Sequence, residues 1–441
     1  MNLAAQILAS KQTGSKRLNI SCGLNEFPKE IYELADTLEI LDLSGNNLSS
    51  LPDDFTTLRK LRVLFCSDNQ FTHLPDVLGQ LPQLTMVGFK ANKIQTVSAA
   101  SLGKSLRWLI LTDNKISELP AEIGLCIDMQ KLMLAGNSLQ HLPAELANCT
   151  KLELLRIAAN RLKFLPDWLL RMPRLSWLAY AGNPCSEINE LVAMSHNPIS
   201  DISWQQLQIQ HRLGEGASGV IYQALWNHPT ESSTTIAIKL FKGTLTSDGL
   251  PYSEKAACIS AGEHPNLIKV HGKLDGHPDK TKGLIMSLVE PSYKNLAGPP
   301  SLDSCTRDIY ANDTRFTLEQ LLNIAHGIAK AAQHLHSKGI MHGDLYAHNI
   351  LHNEAGDCLV GDFGAASFYL LTDTAAPMLQ ALEVRAFGCL LQELTERHYD
   401  ENKNISNKIK YLSIICTQEE CAARPNFDVI VSILADLQHK I

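Results

Sequence analysis

The sequence predicts a multidomain chain in which an α/β solenoid precedes a bilobal α+β domain. Two observations carry this prediction. In the N-terminal half, one nine-residue phrase returns seven times at a nearly constant step, which is typical of stacked strand-and-turn units. In the C-terminal half, a glycine-rich stretch among β-forming residues precedes long segments whose apolar residues have helical spacing.

Composition fits a globular protein and bounds its partners. The chain has 441 residues, enough for roughly two or three domains of about 150 residues each. Apolar residues make up 45% and charged residues 19%, and the net charge of −7 gives no basic surface of the kind that binds nucleic acid. The 11 cysteines form no CxxC pair, so we expect neither a disulfide framework nor a zinc site.

The N-terminus carries no recognisable secretory signal. The stretch MNLAAQILASKQTGSKRLNI lacks a basic start, a sustained apolar core and a cleavage site, and no segment reaches the roughly 18 apolar residues of a membrane helix. We therefore expect a cytoplasmic protein in a reducing compartment, without a membrane partner. Export into a host cell by a route that needs no cleavable signal is compatible with this sequence.

The repeated phrase closes on asparagine. Its copies have apolar residues at the first, fourth and sixth places, as in LEILDLSGN and LRWLILTDN. Six steps of 23 or 22 residues separate the ninth-place asparagines, which are Asn46, Asn69, Asn92, Asn114, Asn137, Asn160 and Asn183. The apolar places point into the coil, and the amide can satisfy backbone groups that stacking buries. Proline and asparagine at a fixed phase argue against a helical bundle.

This pattern resembles the leucine-rich repeat in its LPxxL variety. On such a repeat, the third, fifth and seventh places face outward onto a concave sheet. Those places hold an apolar stripe that includes Phe65, Trp108, Ile110, Met133 and Trp177. An exposed apolar stripe predicts a docking surface for a protein or peptide, with the two tryptophans as anchors. The alternative is that these side chains pack on one another or against the second domain.

The end of the repeat sets the domain bounds. We predict an N-terminal lead-in over residues 1–16 and the solenoid over 17–185. Residues 186–204, which have neither period nor apolar span, are predicted as a linker, and the second domain covers 205–437.

The stretch LGEGASGVIY at 213–222 has glycines in G-x-G-x-x-G order, at Gly214, Gly216 and Gly219. This motif alone is weak, because it also occurs in dinucleotide-binding folds. Here β-forming residues follow the last glycine, so a strand-turn-strand hairpin over phosphate groups is favoured over a helix.

A lysine ends the apolar strand TIAIK at position 239. A buried lysine needs an anionic partner, so Lys239 requires a phosphate or a carboxylate nearby. Glu254, in the next helical segment, is the predicted carboxylate. Glu263 is the competitor, but it abuts His-Pro-Asn, which indicates the turn after the helix.

From here the second half resembles the eukaryotic-type protein kinases, and ECAARPNF resembles their tyrosine-kinase-like branch. GLIMSLVE is similar to the strand that enters the hinge, HGDLYAHNIL to the catalytic loop and GDFG to the metal-binding motif. The resemblance implies ATP and Mg²⁺ as cofactors. It implies Asp344 as the base, Lys239 and Glu254 as the nucleotide-orienting pair, and Asn349 and Asp362 as metal ligands. It also implies nucleotide contacts from Leu213, Gly214, Gly216, Gly219, Val220, Ala237, Lys239 and Met286.

The sequence departs from the family pattern at two places. Gly343 stands where the catalytic loop usually has arginine, which removes a charge that a phosphorylated activation loop would offset. The stretch EVRAFG at 383–388 resembles the D-x-W-x-x-G motif of the following core helix and begins only 21 residues after Asp362. No Ala-Pro-Glu is present. The carboxylate that would pair with the late arginine, Arg424, is therefore missing.

These features predict a protein serine/threonine kinase that phosphorylates protein substrates and itself, with the repeats as a partner-binding module. A pseudokinase scaffold and a small-molecule phosphotransferase on the same fold are the alternatives. Intact Lys239, Asp344, Asn349 and Asp362 argue against a scaffold. The shortened segment after GDFG argues for a scaffold. The HGDL-type loop and the missing Ala-Pro-Glu give partial support to a small-molecule acceptor, whose site the long insert at 292–316 could shape, but the repeats and the R-P-x-F ending favour a protein target.

Overall fold

The computed structural model describes residues 11, 13–197, 199–216, 218–228, 232–399 and 403–441. These residues divide into two compact units, one up to Arg174 and the other Leu175–Ile441. The first unit contains six of the seven repeat phrases. The seventh phrase, LSWLAYAGN, begins at Leu175 and lies in the second unit together with the motifs of the C-terminal half. The predicted domain bounds stay a prediction.

The first unit is a parallel solenoid. Its strands pair in chain order, each copy stacking on the one before. They are β1 (Arg17–Asn19), β2 (Ile40–Asp42), β3 (Val63–Phe65), β4 (Met86–Gly88), β5 (Trp108–Ile110), β6 (Lys131–Met133) and β7 (Leu154–Arg156). Short 3₁₀ helices return the chain, at Lys29–Leu34, Asp53–Thr57, Asp76–Gln80, Ala99–Ser101, Ala121–Leu125, Ala144–Asn148 and Leu169–Arg171.

The asparagines form the expected polar ladder. The Asn114 amide donates to the carbonyls of Phe89 and Leu111 at 2.9 and 3.0 Å, and its Oδ1 accepts from the Ile94 N–H at 2.9 Å. Asn137 repeats this arrangement one coil later with Leu111 and Leu134. Each amide therefore joins its own coil to the preceding one and satisfies backbone groups that the leucine core would otherwise leave unpaired.

The concave side chains of the first unit are only partly exposed. Phe65, Trp108, Ile110 and Met133 are half-buried. The ammonium group of Lys131 lies 4.5 Å from the centre of the Trp108 ring, so part of this ring is covered by a neighbouring coil. The use of these four side chains by a partner stays a prediction.

The second unit begins with β8 (Trp177–Ala179), where the Trp177 side chain is buried, so the prediction that it is an exposed anchor is wrong. The unit contains a six-stranded sheet in the order β10-β11-β12-β14-β13-β9. The strands of this sheet are β9 (Asp201–Ser203), β10 (Leu207–Glu215), β11 (Gly219–Trp226), β12 (Thr234–Phe241), β13 (Val270–Asp275) and β14 (Gly283–Ser287). Two small sheets follow, built from β15 (Lys294–Asn295), β16 (Ile340–Met341), β17 (Ile350–His352), β18 (Cys358–Val360) and β19 (Ser367–Phe368).

Most helices of the second unit follow the large sheet in the sequence. The helices are α1 (Pro184–His196), α2 (Pro251–Ala261), α3 (Leu318–Ser337), α4 (Ala376–Glu396), α5 (Lys403–Thr417) and α6 (Phe427–Gln438). Further 3₁₀ turns are Trp204–Gln206, Ala347–Asn349 and Cys421–Ala423. Among the described residues, none of these helices is both long and apolar enough to cross a bilayer.

The predicted linker contains regular structure. Helix α1 starts where Asn183 serves as N-cap, Pro184 fills the first helical position and Ser186 completes a capping box. Strand β9 then pairs in parallel with β13. No apolar period was visible in the sequence here because helix α1 exposes Ile188 and Leu191 and buries the polar Glu190.

Candidate active site

A cavity in the second unit lies between the large sheet, helix α2 and the segment after β18. Its lining includes the glycine-rich turn, the end of β12, helix α2 and the GDFG motif. The lining residues are Gly216, Ser218, Gly219, Ile221, Lys239, Glu254, Cys258, Ala261, Gly262, Leu267, Ile268, Val270, Met286, Val360, Gly361, Asp362 and Phe363.

Six of the twelve predicted site residues line this cavity, and they are Gly216, Gly219, Lys239, Glu254, Met286 and Asp362. Asp344 and Asn349 are not among its lining residues. Leu213 and Gly214 lie on β10 outside it, and the Leu213 side chain is exposed. Val220 lies on β11, and Ala237 is buried on β12, paired with Met286 of β14. Apolar neighbours such as Ile221, Val270 and Cys258 were missed because strand register, which pairs Ile221 with Lys239, and the packing of helix α2, which carries Cys258, bring them to the cavity.

Lys239 and Glu254 form a buried ion pair between β12 and helix α2. Burial by itself lowers the pKa of the Lys239 ammonium, but the carboxylates of Glu254 and Asp362 outweigh this and hold the pKa above its usual value. Glu263, the competing candidate, instead pairs with Lys269 at 2.7 Å on the surface. Lys239 is therefore a fixed positive charge beside Asp362.

The glycine-rich stretch is a hairpin turn between β10 and β11. The Gly216 N–H donates to the Gly219 carbonyl at 2.9 Å, which closes the turn. A Cβ at Gly219 would lie 2.5 Å from the Leu240 carbonyl oxygen, so the close approach of β12 requires glycine there. A Cβ at Gly216 would meet nothing within 4 Å, so this glycine leaves open space at the cavity mouth.

The catalytic-loop candidates lie close together. The Asn349 amide donates to the Asp344 carboxylate at 2.8 Å and to its carbonyl at 3.0 Å, which fixes the direction of the Asp344 side chain. His342 is fully buried, with its Nε2 2.9 Å from the Gly361 carbonyl and its ring 5.1 Å from the Phe363 ring. His342 therefore links the loop to the GDFG motif and has no path to a substrate.

A buried carboxylate on α4 holds the backbone of this loop. Glu383 accepts from the Gly343 N–H at 2.8 Å and the His342 N–H at 3.2 Å, and His336 Nε2 lies 2.8 Å from it. Burial raises the pKa of the Glu383 carboxyl, but these hydrogen bonds and nearby imidazoles lower the pKa overall. The carboxylate is therefore ionised where it anchors the loop.

Comparison with known families decides the identity of this arrangement. A model described as protein tyrosine and serine/threonine kinase matches residues 207–386, and a model described as leucine rich repeat matches residues 36–94. The chain joins leucine-rich repeats to a protein kinase domain.

Part of this chain is also similar to curated ephrin receptors. The ephrin type-B receptor 1-A of Xenopus laevis is 32% identical over 178 residues, which cover 40% of this chain and 16% of the receptor. The ephrin type-B receptor 3 of Danio rerio is 30% identical over 174 residues, with 39% and 32% covered. The ephrin type-A receptor 8 of Homo sapiens is 24% identical, with 53% and 26% covered. The chain thus spans between 16% and 32% of the length of these three relatives.

The backbone conformation and the close packing at position 343 explain why a glycine stands there. Gly343 has φ of +73°, a conformation that side-chain-bearing residues rarely adopt. A Cβ would lie 2.5 Å from the Ala365 carbonyl oxygen and 2.7 Å from the Leu178 carbonyl oxygen. Backbone from two other segments therefore occupies the space that a side chain would need.

Two residues of the kinase domain were missed as site candidates. Asp308, in the insert before α3, accepts from the His348 N–H at 2.9 Å, and its other oxygen lies 2.8 Å from His348 Nδ1. Burial lowers the pKa of His348, but Asp308 first and then Asp344 and Asp362 raise it overall. The only sequence signal was a histidine inside the catalytic loop, which gave no hint of a partner 40 residues earlier.

The activation segment of the kinase domain is short. Helix α4 begins at Ala376, 14 residues after Asp362, and the Ala-Pro-Met stretch forms its first turn. Arg424 donates to the carbonyls of Ala381 and Gln418 at 3.0 and 2.9 Å, so its guanidinium is bound to the backbone of helix α4.

Proposed function

We propose that this chain is an ATP-dependent protein kinase of the cytoplasm that transfers the γ-phosphoryl group to serine or threonine of proteins, itself included. The observation that carries the proposal is the convergence of the Lys239–Glu254 ion pair and Asp362 on one cavity. Phosphoryl transfer needs little covalent help and depends on charge neutralisation and alignment, and the charged groups of this cavity support the first of these.

Asp344 is the proposed base. Its carboxylate accepts the proton of the acceptor hydroxyl as the hydroxyl oxygen forms a bond to the γ-phosphorus, and the bond to the β–γ bridging oxygen breaks to release ADP. The Asn349 amide holds one carboxylate oxygen of Asp344 at 2.8 Å, which keeps the group aimed in one direction. Lys239 would neutralise phosphate charge at the nucleotide.

The residues present fit a magnesium site. Asn349 uses its amide nitrogen for hydrogen bonds to Asp344, which leaves its carbonyl oxygen as a ligand. Asp362 accepts only from the Gly364 N–H, at 3.1 Å through Oδ1, so its second carboxylate oxygen is also available within the described residues. Hard oxygen ligands of this kind suit Mg²⁺, which would draw charge from the phosphate oxygens when bound.

The acceptor class is the finer part of the proposal. The matching family description includes both tyrosine and serine/threonine kinases. The short activation segment offers little platform for seating a long tyrosine side chain, which supports a short hydroxyl acceptor. We further propose that the half-buried stripe of Phe65, Trp108, Ile110 and Met133 binds a protein or peptide partner.

Labelled phosphate transfer tests this proposal. The chain is dephosphorylated with phosphatase, purified, and incubated with labelled ATP and Mg²⁺ together with general protein acceptors and a panel of small hydroxyl and amino compounds. We expect label on protein, as phosphoserine and phosphothreonine after acid hydrolysis. Label on phosphotyrosine alone would overturn the acceptor class, and label on a small compound alone would overturn the protein acceptor. Nucleotide binding without any transfer would overturn the kinase activity in favour of a scaffold.

A further inference from the structure

The seventh repeat phrase and the helix after it, residues 175–196, form a segment that we name the cap segment. Its strand contains Trp177, which is only 2% exposed. The Trp177 Nε1–H donates to the Leu345 carbonyl at 3.2 Å, and the ring stacks on Tyr346 with centroids 4.1 Å apart at an angle of 10°. Leu345 directly follows Asp344, so this hydrogen bond holds the catalytic loop beside its base.

A second contact of the cap segment holds the activation segment. The Tyr180 N–H donates to the Ser367 hydroxyl at 3.0 Å, and the Tyr180 hydroxyl donates to the Phe368 carbonyl at 3.1 Å. Ser367 and Phe368 form β19, which pairs with β16 just before the catalytic loop. Both hydrogen bonds are buried. The strand that follows GDFG is therefore fixed by the cap segment.

A third contact reaches helix α2. Glu190 of α1 is only 3% exposed, and its Oε1 accepts from the Gly182 N–H and the Ser186 hydroxyl, both at 2.8 Å. Its Oε2 accepts from the Ser253 hydroxyl at 2.6 Å. Ser253 is itself buried and directly precedes Glu254, the partner of Lys239. This carboxylate therefore ties the cap segment to the helix that carries the ion pair.

The three contacts share one property. Two of them end at Leu345 and Ser253, each one residue from a proposed catalytic residue. The other ends on β19, the strand after GDFG. The buried polar groups at these points are paired, which offsets the cost of burying them. A fourth buried contact of the cap segment, in which the Arg385 guanidinium donates to the Ser176 hydroxyl at 2.7 Å, ends on helix α4 two residues after Glu383, the anchor of the catalytic loop. The close approach of the Leu178 carbonyl to Gly343 extends the same pattern to the catalytic loop.

We propose that Trp177, Tyr180 and Glu190 of the cap segment are positioning residues that hold the catalytic loop, the strand after GDFG and helix α2 in the arrangement needed for phosphoryl transfer. The proposal rests on the proposed kinase activity. It assigns to the cap segment the role that a phosphorylated activation loop has when the catalytic-loop arginine is present. The isolated residues 205–437 would lack all three contacts.

Single-group variants of the full chain test the proposal. Trp177→Phe keeps an aromatic ring but removes the Nε1 donor, and Tyr180→Phe removes only the hydroxyl. Because small displacements of catalytic groups have large kinetic effects, we expect each variant to lower kcat by roughly tenfold while KM for ATP stays within about twofold. Equal loss of kcat and ATP affinity, or unchanged kcat in both variants, would overturn the proposal.

Matched controls separate positioning from general damage. Trp226→Phe makes the same change at a half-buried tryptophan whose Nε1 has no hydrogen-bond partner among the described residues. Tyr32→Phe removes a hydroxyl that bonds Asp54 on the surface of the first unit. Both controls should keep wild-type kcat. Thermal unfolding of all variants shows whether each is folded at the assay temperature.

A double-mutant cycle tests the third contact. Glu190→Gln and Ser253→Ala each weaken or remove the hydrogen bond between the two side chains, so the double variant should lose no more kcat than the worse single variant. Independent, multiplying losses would contradict a shared positioning role. The amide introduced by Glu190→Gln keeps one oxygen acceptor, so this variant should retain more activity than Glu190→Ala.

Hydrogen exchange keeps the proposal testable if the chain transfers no phosphate. Absence of transfer in the wild-type chain would contradict the proposed kinase activity but not the positioning role. Backbone amides of residues 342–351 and 367–368 should still exchange faster in Trp177→Phe and Tyr180→Phe than in the wild-type chain and the controls, because the contact residues fix these segments. Unchanged exchange there would sink the positioning role.

Discussion

The two units use buried polar groups in different ways. In the repeat unit, one amide arrangement recurs from coil to coil, and every copy satisfies local backbone groups. In the kinase unit, each buried charge occurs in its own setting, such as Lys239 with Glu254 or Glu383 with the catalytic loop. Loss of one asparagine in the repeats removes hydrogen bonds only in its own and neighbouring coils. Loss of one buried charge in the kinase unit removes a contact of the candidate active site. The same kind of substitution should therefore change stability in one unit and activity in the other.

The largest effect is expected at the buried ion pair. Lys239→Met removes the positive charge beside Asp362 and leaves Glu254 without its partner. We expect phosphoryl transfer to fall by about a thousandfold, equivalent to about 4 kcal/mol of transition-state stabilisation. Initial rates at saturating ATP measure this. Lys269→Met, which breaks an exposed pair with Glu263, is the matched control and should stay near wild type.

The next effect is expected at Glu383, where activity and stability should change together. Glu383→Gln replaces the charged carboxylate by a neutral amide, which accepts more weakly from the two backbone N–H groups and from His336. We expect the free energy of unfolding to fall by about 3 kcal/mol at neutral pH. Because the folded pKa of Glu383 lies below its ordinary value of 4.5, its stabilisation is present above that pH and is lost as the pH falls.

Urea unfolding of wild type and Glu383→Gln at a series of pH values, from neutral to well below the ordinary carboxyl pKa of 4.5, checks the sign. The gap between the two proteins should be widest at neutral pH and should narrow as the pH falls. A gap that widens as the pH falls would contradict an ionised anchor.

A smaller and purely structural effect is expected in the repeat unit. Asn114→Ala leaves the Ile94 N–H without its partner and removes one of two amide donors from each of the buried Phe89 and Leu111 carbonyls, which should cost about 2 kcal/mol. Thermal unfolding measures this loss. Transfer rates should stay unchanged below the unfolding transition, because these hydrogen bonds of Asn114 stay within neighbouring coils. Asn47→Ala, at an exposed amide with one long contact to Gly23, should be nearly silent. A large activity loss in Asn114→Ala would contradict the expectation that substitutions in the repeat unit change stability alone.

Sequence alone could predict the parts of the molecule that are periodic or local. The asparagine step predicted the ladder, and the order of the motifs predicted the cavity that contains Lys239 and Asp362. The sequence could not predict the contact between Asp308 and His348, because no residue spacing relates the insert to the catalytic loop. Trp177 was placed on an exposed face because strand alternation says which way a side chain points, and long-range packing decides what covers it.

An effect that depends on pH is expected at Glu393. Burial first, and Asp308 second, raise the pKa of this carboxyl to about 7, although Arg307 and the Tyr310 hydroxyl oppose the shift. Because the folded pKa is raised, the Glu393 carboxyl does not change the free energy of unfolding below about pH 4.5, and it destabilises the fold as the pH rises toward about 7. Glu393→Gln should therefore match wild type below about pH 4.5 and be more stable above about pH 7, by up to about 3 kcal/mol. Equal urea midpoints in mild alkali would contradict this.

The central claim is that Asp344 serves phosphoryl transfer in a site that the fold has already assembled. The most direct test measures transfer from ATP and nucleotide binding side by side for the wild-type chain and Asp344→Asn. Asparagine keeps the size of the side chain but cannot accept the proton, so the account predicts that transfer falls by at least about a hundredfold while ATP affinity and thermal stability stay close to wild type. Transfer at the wild-type rate in Asp344→Asn would contradict it.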